Sequence, residues 1–163
     1  MPQLIRDGEI VNDDWQLIQT RETANAPLPA GKLILPLDIW QSHDPGDSAE
    51  IGVWIDGDTD LAPIAKEIRS VPLIAIRFPG FMDGRGFSTG RLLRERYQFT
   101  GELRAIGHFI RDQLCYLRRC GFNAFQFAED TNLEAALASL KDFQEYYQAA
   151  VDEPLPLFRR RRT

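Results

Sequence analysis

Residues 78–104, FPGFMDGRGFSTGRLLRERYQFTGELR, decide how this chain is read. The apolar run Leu73-Ile74-Ala75-Ile76 just before them has the length of a buried strand, and the segment Asp83-Gly84-Arg85-Gly86-Phe87-Ser88-Thr89-Gly90 breaks it off. Ser88 then stands where a helix cap would stand, ahead of an arginine-crowded stretch reaching Tyr97. Strand, glycine-rich loop and helix make one β/α unit.

Working outward, the unit recurs. Leu33-Ile34-Leu35 is an apolar run, followed by a short helical turn over Leu37 to Gln41. Ile51-Gly52-Val53-Trp54-Ile55 is a second strand, and Leu61, Ile64, Ala65 and Ile68 follow it at helical spacing, with Thr59 or Asp60 as cap and Pro63 in the first turn. Leu103 to Ile106 predicts a further strand, Phe109 to Cys120 a helix closed by Gly121, and Ala124 to Phe127 the last strand. Thr131-Asn132-Leu133-Glu134 reads as a capping box opening a long helix with Leu133, Leu137, Leu140 and Tyr147 on one face.

Short strands that are apolar throughout, alternating with crossovers long enough to hold a helix, predict an α/β fold with a mostly parallel sheet buried on both faces. A closed barrel of eight such units needs about 250 residues, so 163 residues predict an open sheet or a partial barrel. At the N-terminus, Leu4-Ile5 and Ile10-Val11 flank Asp7-Gly8 and predict an antiparallel hairpin or meander beside the main sheet, continued by Trp15, Leu17 and Ile18. The expected organisation is one domain: hairpin at 1–19, linker at 20–31, β/α core at 32–150 and tail at 151–163. The tail ends in four arginines and is expected to be frayed and solvated.

Composition narrows the function. With 44% apolar and 26% charged residues the chain has the balance of a globular protein. No apolar run approaches the ~20 residues that cross a bilayer, and MPQLIRDGEI lacks the apolar core of a secretory signal, so a cytoplasmic location without membrane contact is expected. A net charge of −5 argues against nucleic acid as a partner. Cys115 and Cys120 lie five apart on one predicted helix, cannot pair, and have no histidine cluster near them. Free thiols, no metal site and no cofactor follow.

In α/β folds ligands collect beyond the carboxyl ends of the strands. That edge holds Asp56, Asp58, Arg77, the loop to Ser88, Gly107, His108, Glu129 and Asp130. The sharpest reading is a small-anion pocket, with Arg85 and Arg91 supplying charge and the amides of Gly86, Phe87, Ser88 and Thr89 supplying donors at a helix N-terminus. The competing reading pairs Asp83 with Arg85, pairs Glu95 and Glu102 with other arginines, and leaves the glycines to make a tight turn. Gly84, Gly86 and Gly90 depart from the dinucleotide fingerprint. His43 and His108 are the only histidines, and no nucleophile stands in a triad pattern. Asp83 and His108 are the candidates for acid–base work, with helix capping the competing role for His108.

The run from Asp83 to Phe127, DGRGFSTGRLLRERYQFTGELRAIGHFIRDQLCYLRRCGFNAFQF, resembles the hallmark segment of a family of small bacterial proteins, domain of unknown function 934. The likeness is carried by Asp83, Gly84, Arg85, Gly86, Phe87, Ser88, Arg91, Leu92, Arg94, Gly101, Arg104, Gly107, Asp112, Gln113 and Gly121. It departs at His108, where the family pattern has aspartate, which weighs against a histidine mechanism. The resemblance implies a setting in sulfite reduction and sulfate assimilation beside the haemoprotein subunit of sulfite or nitrite reductase, and the label of an oxidoreductase. It implies no catalytic residues. Two readings follow: an accessory protein of sulfite reduction presenting the Asp83–Gly90 loop to a reductase subunit or a small anion, and a small α/β enzyme acting on an anionic metabolite.

Overall fold

The computed structural model describes residues 2–19, 28–42, 50–127, 130–143 and 145–160. Its strands are β1 (Gln3–Arg6), β2 (Glu9–Asn12), β3 (Trp15–Leu17), β4 (Lys32–Pro36), β5 (Ile51–Asp56), β6 (Leu73–Phe78), β7 (Glu102–Gly107) and β8 (Ala124–Phe125). They form one eight-stranded sheet in the order β2-β1-β8-β7-β6-β5-β4-β3. From β3 to β8 every pairing is parallel; β1 is antiparallel to both β2 and β8. The α/β fold, the parallel core and the antiparallel hairpin are therefore as the sequence indicates.

One strand lies elsewhere than expected. Trp15, Gln16 and Leu17 do not continue the hairpin; they pair in parallel with Lys32, Leu33 and Ile34 at the opposite edge of the sheet. Only Asp13 and Asp14 separate the ends of β2 and β3, and three Cα–Cα steps span at most about 11 Å. The two edges must approach each other at that point, so the sheet cannot lie flat. It curls into a half-barrel.

Strand alternation sorts the core into two parts. On the helix-covered side, Leu33, Leu35, Val53, Ile55, Ile74, Ile76, Phe78, Leu103 and Phe125 pack with helix residues such as Ile64, Ile68, Leu93, Leu114 and Leu117. On the inner side, Ile34, Leu73, Ala75 and Ile106 meet Trp15, Leu17 and Trp54. Each such aliphatic side chain contributes about 1.5–3 kcal/mol on burial. Among the inner residues sits a buried ion pair: Arg104 on β7 is 0% exposed, and its Nη1 donates to Asp13 Oδ2 at 2.9 Å. Its Nε donates to Glu102 Oε1 at 2.8 Å, and Nη1 also reaches Gln126 Oε1 at 3.3 Å.

The helices are α1 (Leu37–Ser42), α2 (Ala65–Ile68) after a 3₁₀ turn at Ala62–Ile64, α3 (Arg85–Glu95), α4 (Leu114–Arg119) after a 3₁₀ turn at Arg111–Gln113, α5 (Leu133–Ser139) and α6 (Leu157–Arg160). Asp60 Oδ1 accepts from Ala62 N at 3.1 Å and opens the first of these turns. Gly121 closes α4 at φ +100°. α3 begins at Arg85 rather than Ser88, because Gly84 already adopts helical angles as its N-cap. The helix expected to reach Tyr147 stops at Ser139, capped at its start by Asn132, whose Oδ1 accepts from Ala135 N at 2.9 Å. Two contacts draw the following chain away: Arg119 stacks on the Tyr146 ring at 4.1 Å and its Nη2 donates to Gln148 O. Residues 151–160 are likewise tied back rather than frayed, with Val151 N donating to Arg119 O at 3.1 Å and Arg160 Nη2 to Tyr146 O at 2.6 Å. Residues 20–27 of the linker, His43 and Glu129 lie outside the described residues.

Candidate functional site

The C-terminal ends of β5, β6 and β7 bring Asp56-Gly57-Asp58, the loop Pro79–Gly84 and Gly107-His108 to one rim. Arg85 is the hub. Its Nε and Nη2 donate to the Asp83 carboxylate at 2.9 and 2.6 Å, and its Nη1 donates to Asp58 Oδ2 at 2.6 Å. Asp83 Oδ1 also accepts from the Arg85 backbone N–H at 3.1 Å, and Phe87 N donates to Gly84 O at 3.2 Å. The Arg85 side-chain hydrogen bond, followed by its backbone one, holds the Asp83 carboxyl down at about 2, below the ordinary 3.8. The Arg85 guanidinium is raised by the same partner. Where the sequence suggests an external anion at the helix start, the chain itself supplies two carboxylates.

Arg91 stands away from Arg85, while Gly86 to Thr89 form the first turn of α3 directly after it. Arg91 is six positions along α3, which on a 3.6-residue helix is roughly 9 Å along the axis and about 120° around it. Its Nε donates to Glu95 Oε1 at 3.0 Å. Ser88 is exposed, while Thr89 is buried and its Oγ1 donates to Gly57 O at 2.6 Å. Gly86 and Gly90 are packing positions: a Cβ on Gly86 would stand 2.7 Å from the Phe78 ring, and one on Gly90 would stand 2.4 Å from the Phe122 ring. These two glycines, a helical turn apart, let α3 lie directly on the sheet.

His108 is exposed, and its backbone N–H donates to Phe78 O at 2.7 Å. It does not open a helix. The following turn is capped by Gln113, whose Oε1 accepts from Ile110 N at 3.1 Å. Among the described residues no hydrogen bond joins Asp83 to His108, and Asp112 is exposed beside Arg111. Two arginines of the motif serve the fold: Arg104 pairs with Asp13, and Arg94 donates to the carbonyls of Gly121, Phe99 and Gly101 at 2.8–2.9 Å. Among the described residues no group of three or more His, Cys, Asp or Glu could hold a metal ion, and no helix is long and apolar enough to cross a membrane. Cys115 and Cys120 are buried free thiols, and burial pushes the Cys120 thiol up.

Four features of the rim were not legible in the sequence. The loop tip exposes Phe81 at 55% and Met82 at 83%, with exposed Ile110 on the next β/α connection and exposed Tyr116 on α4. That tip is held from two sides: Gln113 Nε2 donates to Phe81 O at 2.9 Å, and Asp83 N donates to Gly80 O at 3.0 Å just before the Asp83–Arg85–Asp58 cluster. Tyr116 packs on Phe87, ring centroids 4.8 Å apart. Further along the rim, Arg77 makes paired bonds to Asp56 at 2.7 and 3.0 Å and stacks 4.6 Å over Trp54. Two apolar residues inside a segment bounded by Pro79-Gly80 and Asp83-Gly84 were the available signal, because loops normally carry polar side chains there.

No curated protein and no solved structure matches the chain. The family model described as "Bacterial protein of unknown function (DUF934)" matches residues 52–158, from β5 through the rim to α6. The chain belongs to the DUF934 family of bacterial proteins.

Proposed function

We propose that this chain is a non-catalytic accessory protein of sulfite reduction that presents the Phe81–Asp83 loop to the haemoprotein subunit of sulfite reductase. The supporting observation is a loop that is fixed and apolar at once. Gln113 and the Asp83–Arg85–Asp58 cluster hold the backbone on either side of Met82, the most exposed large apolar residue among the described residues. Fixing a loop before binding removes the ordering cost that a flexible one has to meet, and an exposed Phe-Met pair gives the kind of apolar anchor that dominates interface energetics. Arg85 and Arg91 are already held by carboxylates, which favours a protein surface over a free inorganic anion as the occupant. The setting in sulfite reduction comes from the family resemblance.

A binding titration with the purified haemoprotein subunit tests this. The expected result is a dissociation constant in the roughly micromolar range of transient complexes, raised at least about tenfold by Phe81→Ser with Met82→Ser. Absence of binding by the unmodified chain, or binding insensitive to both substitutions, contradicts the proposal.

A further inference from the structure

Residues 145–160 are fastened to the C-terminal end of α4 by charge. Arg119 Nη2 donates to Gln148 O, its guanidinium stacks 4.1 Å over the Tyr146 ring, and its Nη1 reaches Asp152 Oδ1 at 3.4 Å. Arg118 Nε lies 3.8 Å from Asp152 Oδ2, and Val151 N donates to Arg119 O at 3.1 Å. Asp152 therefore faces both arginines of α4. Arg160 closes the segment on itself, 3.4 Å from Glu145 and 3.6 Å from Glu153, with Nη2 donating to Tyr146 O at 2.6 Å. One thiol lies underneath. Tyr146 comes against Cys115, which is buried and donates through Sγ to Ser139 O at 3.1 Å.

Apolar burial is missing from this attachment. None of residues 145–160 is buried, whereas α4, to which they are fastened, keeps Leu114 and Leu117 fully buried. Partly exposed ion pairs contribute little net stability. Two donors weaken the closed state further: among the described residues, the buried Nε of Arg118 and that of Arg160 have no hydrogen-bond partner, and water would reach both in an open segment. A region held by polar contacts over little apolar area opens separately from the core. We propose that residues 145–160 form a charge-latched strap, with Asp152 as the latch, which leaves α4 as one unit while the sheet stays folded and bares the Cys115 thiol. Cys120 is the internal reference. It sits about 140° round from Cys115 on a 3.6-residue helix and packs in the core between helices and sheet, so it answers to unfolding of the core. The strap is independent of the rim and of any role in sulfite reduction.

Iodoacetamide labelling of the full chain, read thiol by thiol by mass spectrometry with hydrogen exchange alongside, tests the strap. Each labelling rate is taken relative to the unfolded chain. Cys115 is expected to label at least about tenfold faster than Cys120, and about threefold faster at about 500 mM than at about 50 mM salt, because screening loosens the latch. Asp152→Asn keeps the shape and removes the charge facing both arginines. It is expected to speed Cys115 labelling about three- to tenfold at low salt, with less salt dependence, and to quicken exchange across residues 145–160 while the Cys120 rate holds. Two thiols that label in step overturn the proposal. So does a Cys115 rate indifferent to salt and to Asp152→Asn, and so do amides at 145–160 that exchange as slowly as those of the strands.

Discussion

Arg104 on β7 reaches Asp13 in the link between β2 and β3, Nη1 to Oδ2 at 2.9 Å, with the two side chains 0% and 3% exposed. The link is where the two edges of the sheet come together, so this ion pair ties the middle of the sheet to its seam. Arg104→Ala leaves the buried Asp13 carboxylate without its cation and is expected to cost about 3–5 kcal/mol in urea denaturation. Asp13→Ala is expected to cost less, because Glu102 still pairs with Arg104 Nε at 2.8 Å. The double variant is expected to fall well short of the sum, because the second substitution removes the charge that the first one stranded.

The glycines of the motif divide by what a methyl group would strike. Gly86→Ala and Gly90→Ala push a Cβ into Phe78 and Phe122 and are expected to cost about 1–3 kcal/mol each. Gly107→Ala adds a left-handed backbone at φ +91° to a 2.5 Å clash with Phe78 O and is expected to be at least as damaging. At Gly80 nothing lies within 4 Å of a Cβ, and at Gly84 the nearest atom is at 3.9 Å. Alanine at these two positions is expected to leave stability within about 1 kcal/mol of the original, and thermal unfolding of the five variants reads the contrast. A loop whose glycines served to cradle an anion would show no such division.

Asp83 supplies a pH signature. Its folded value of about 2 lies below the ordinary 3.8, so its contribution to stability is fully present above 3.8 and is lost as pH falls through 2. A carbon-detected NMR titration is expected to place its midpoint near 2 in the unmodified protein. In Arg85→Ala it is expected to return upward, because the side-chain hydrogen bond that depresses it is gone.

Gln113 acts on the rim only through its neighbours. Gln113→Ala deletes the bond to Phe81 O and the one from Ile110 N. Hydrogen exchange is expected to quicken in residues 80–83 while the strand amides stay as slow as before. Affinity for the haemoprotein subunit is expected to fall even though Phe81 and Met82 are unchanged, which separates positioning from contact.

The β/α rhythm was legible because strands such as Leu73–Phe78 are apolar on both faces and sit between turn residues. The placement of Trp15–Leu17 was not. A three-residue strand carries too little pattern to choose between two edges, and the choice is made by Asp13 bonding to Arg104, 91 residues away. Gly86 and Gly90 looked like loop residues because glycine weakens a helix, and their packing against Phe78 and Phe122 appears only once the sheet is assembled. At the candidate site, Asp83 beside Arg85 could be read locally. The second carboxylate, Asp58, is 27 positions away, and the clamp from Gln113 to Phe81 spans 32.

A protein docked on the rim at Phe81–Asp83, as proposed, leaves its footprint in hydrogen exchange of the complex with the purified haemoprotein subunit. The predicted footprint is slowed exchange at residues 80–84 and 110–116, with β1, β2 and the C-terminal segment unchanged. A complex that slows exchange elsewhere and leaves the rim as it was would contradict the account.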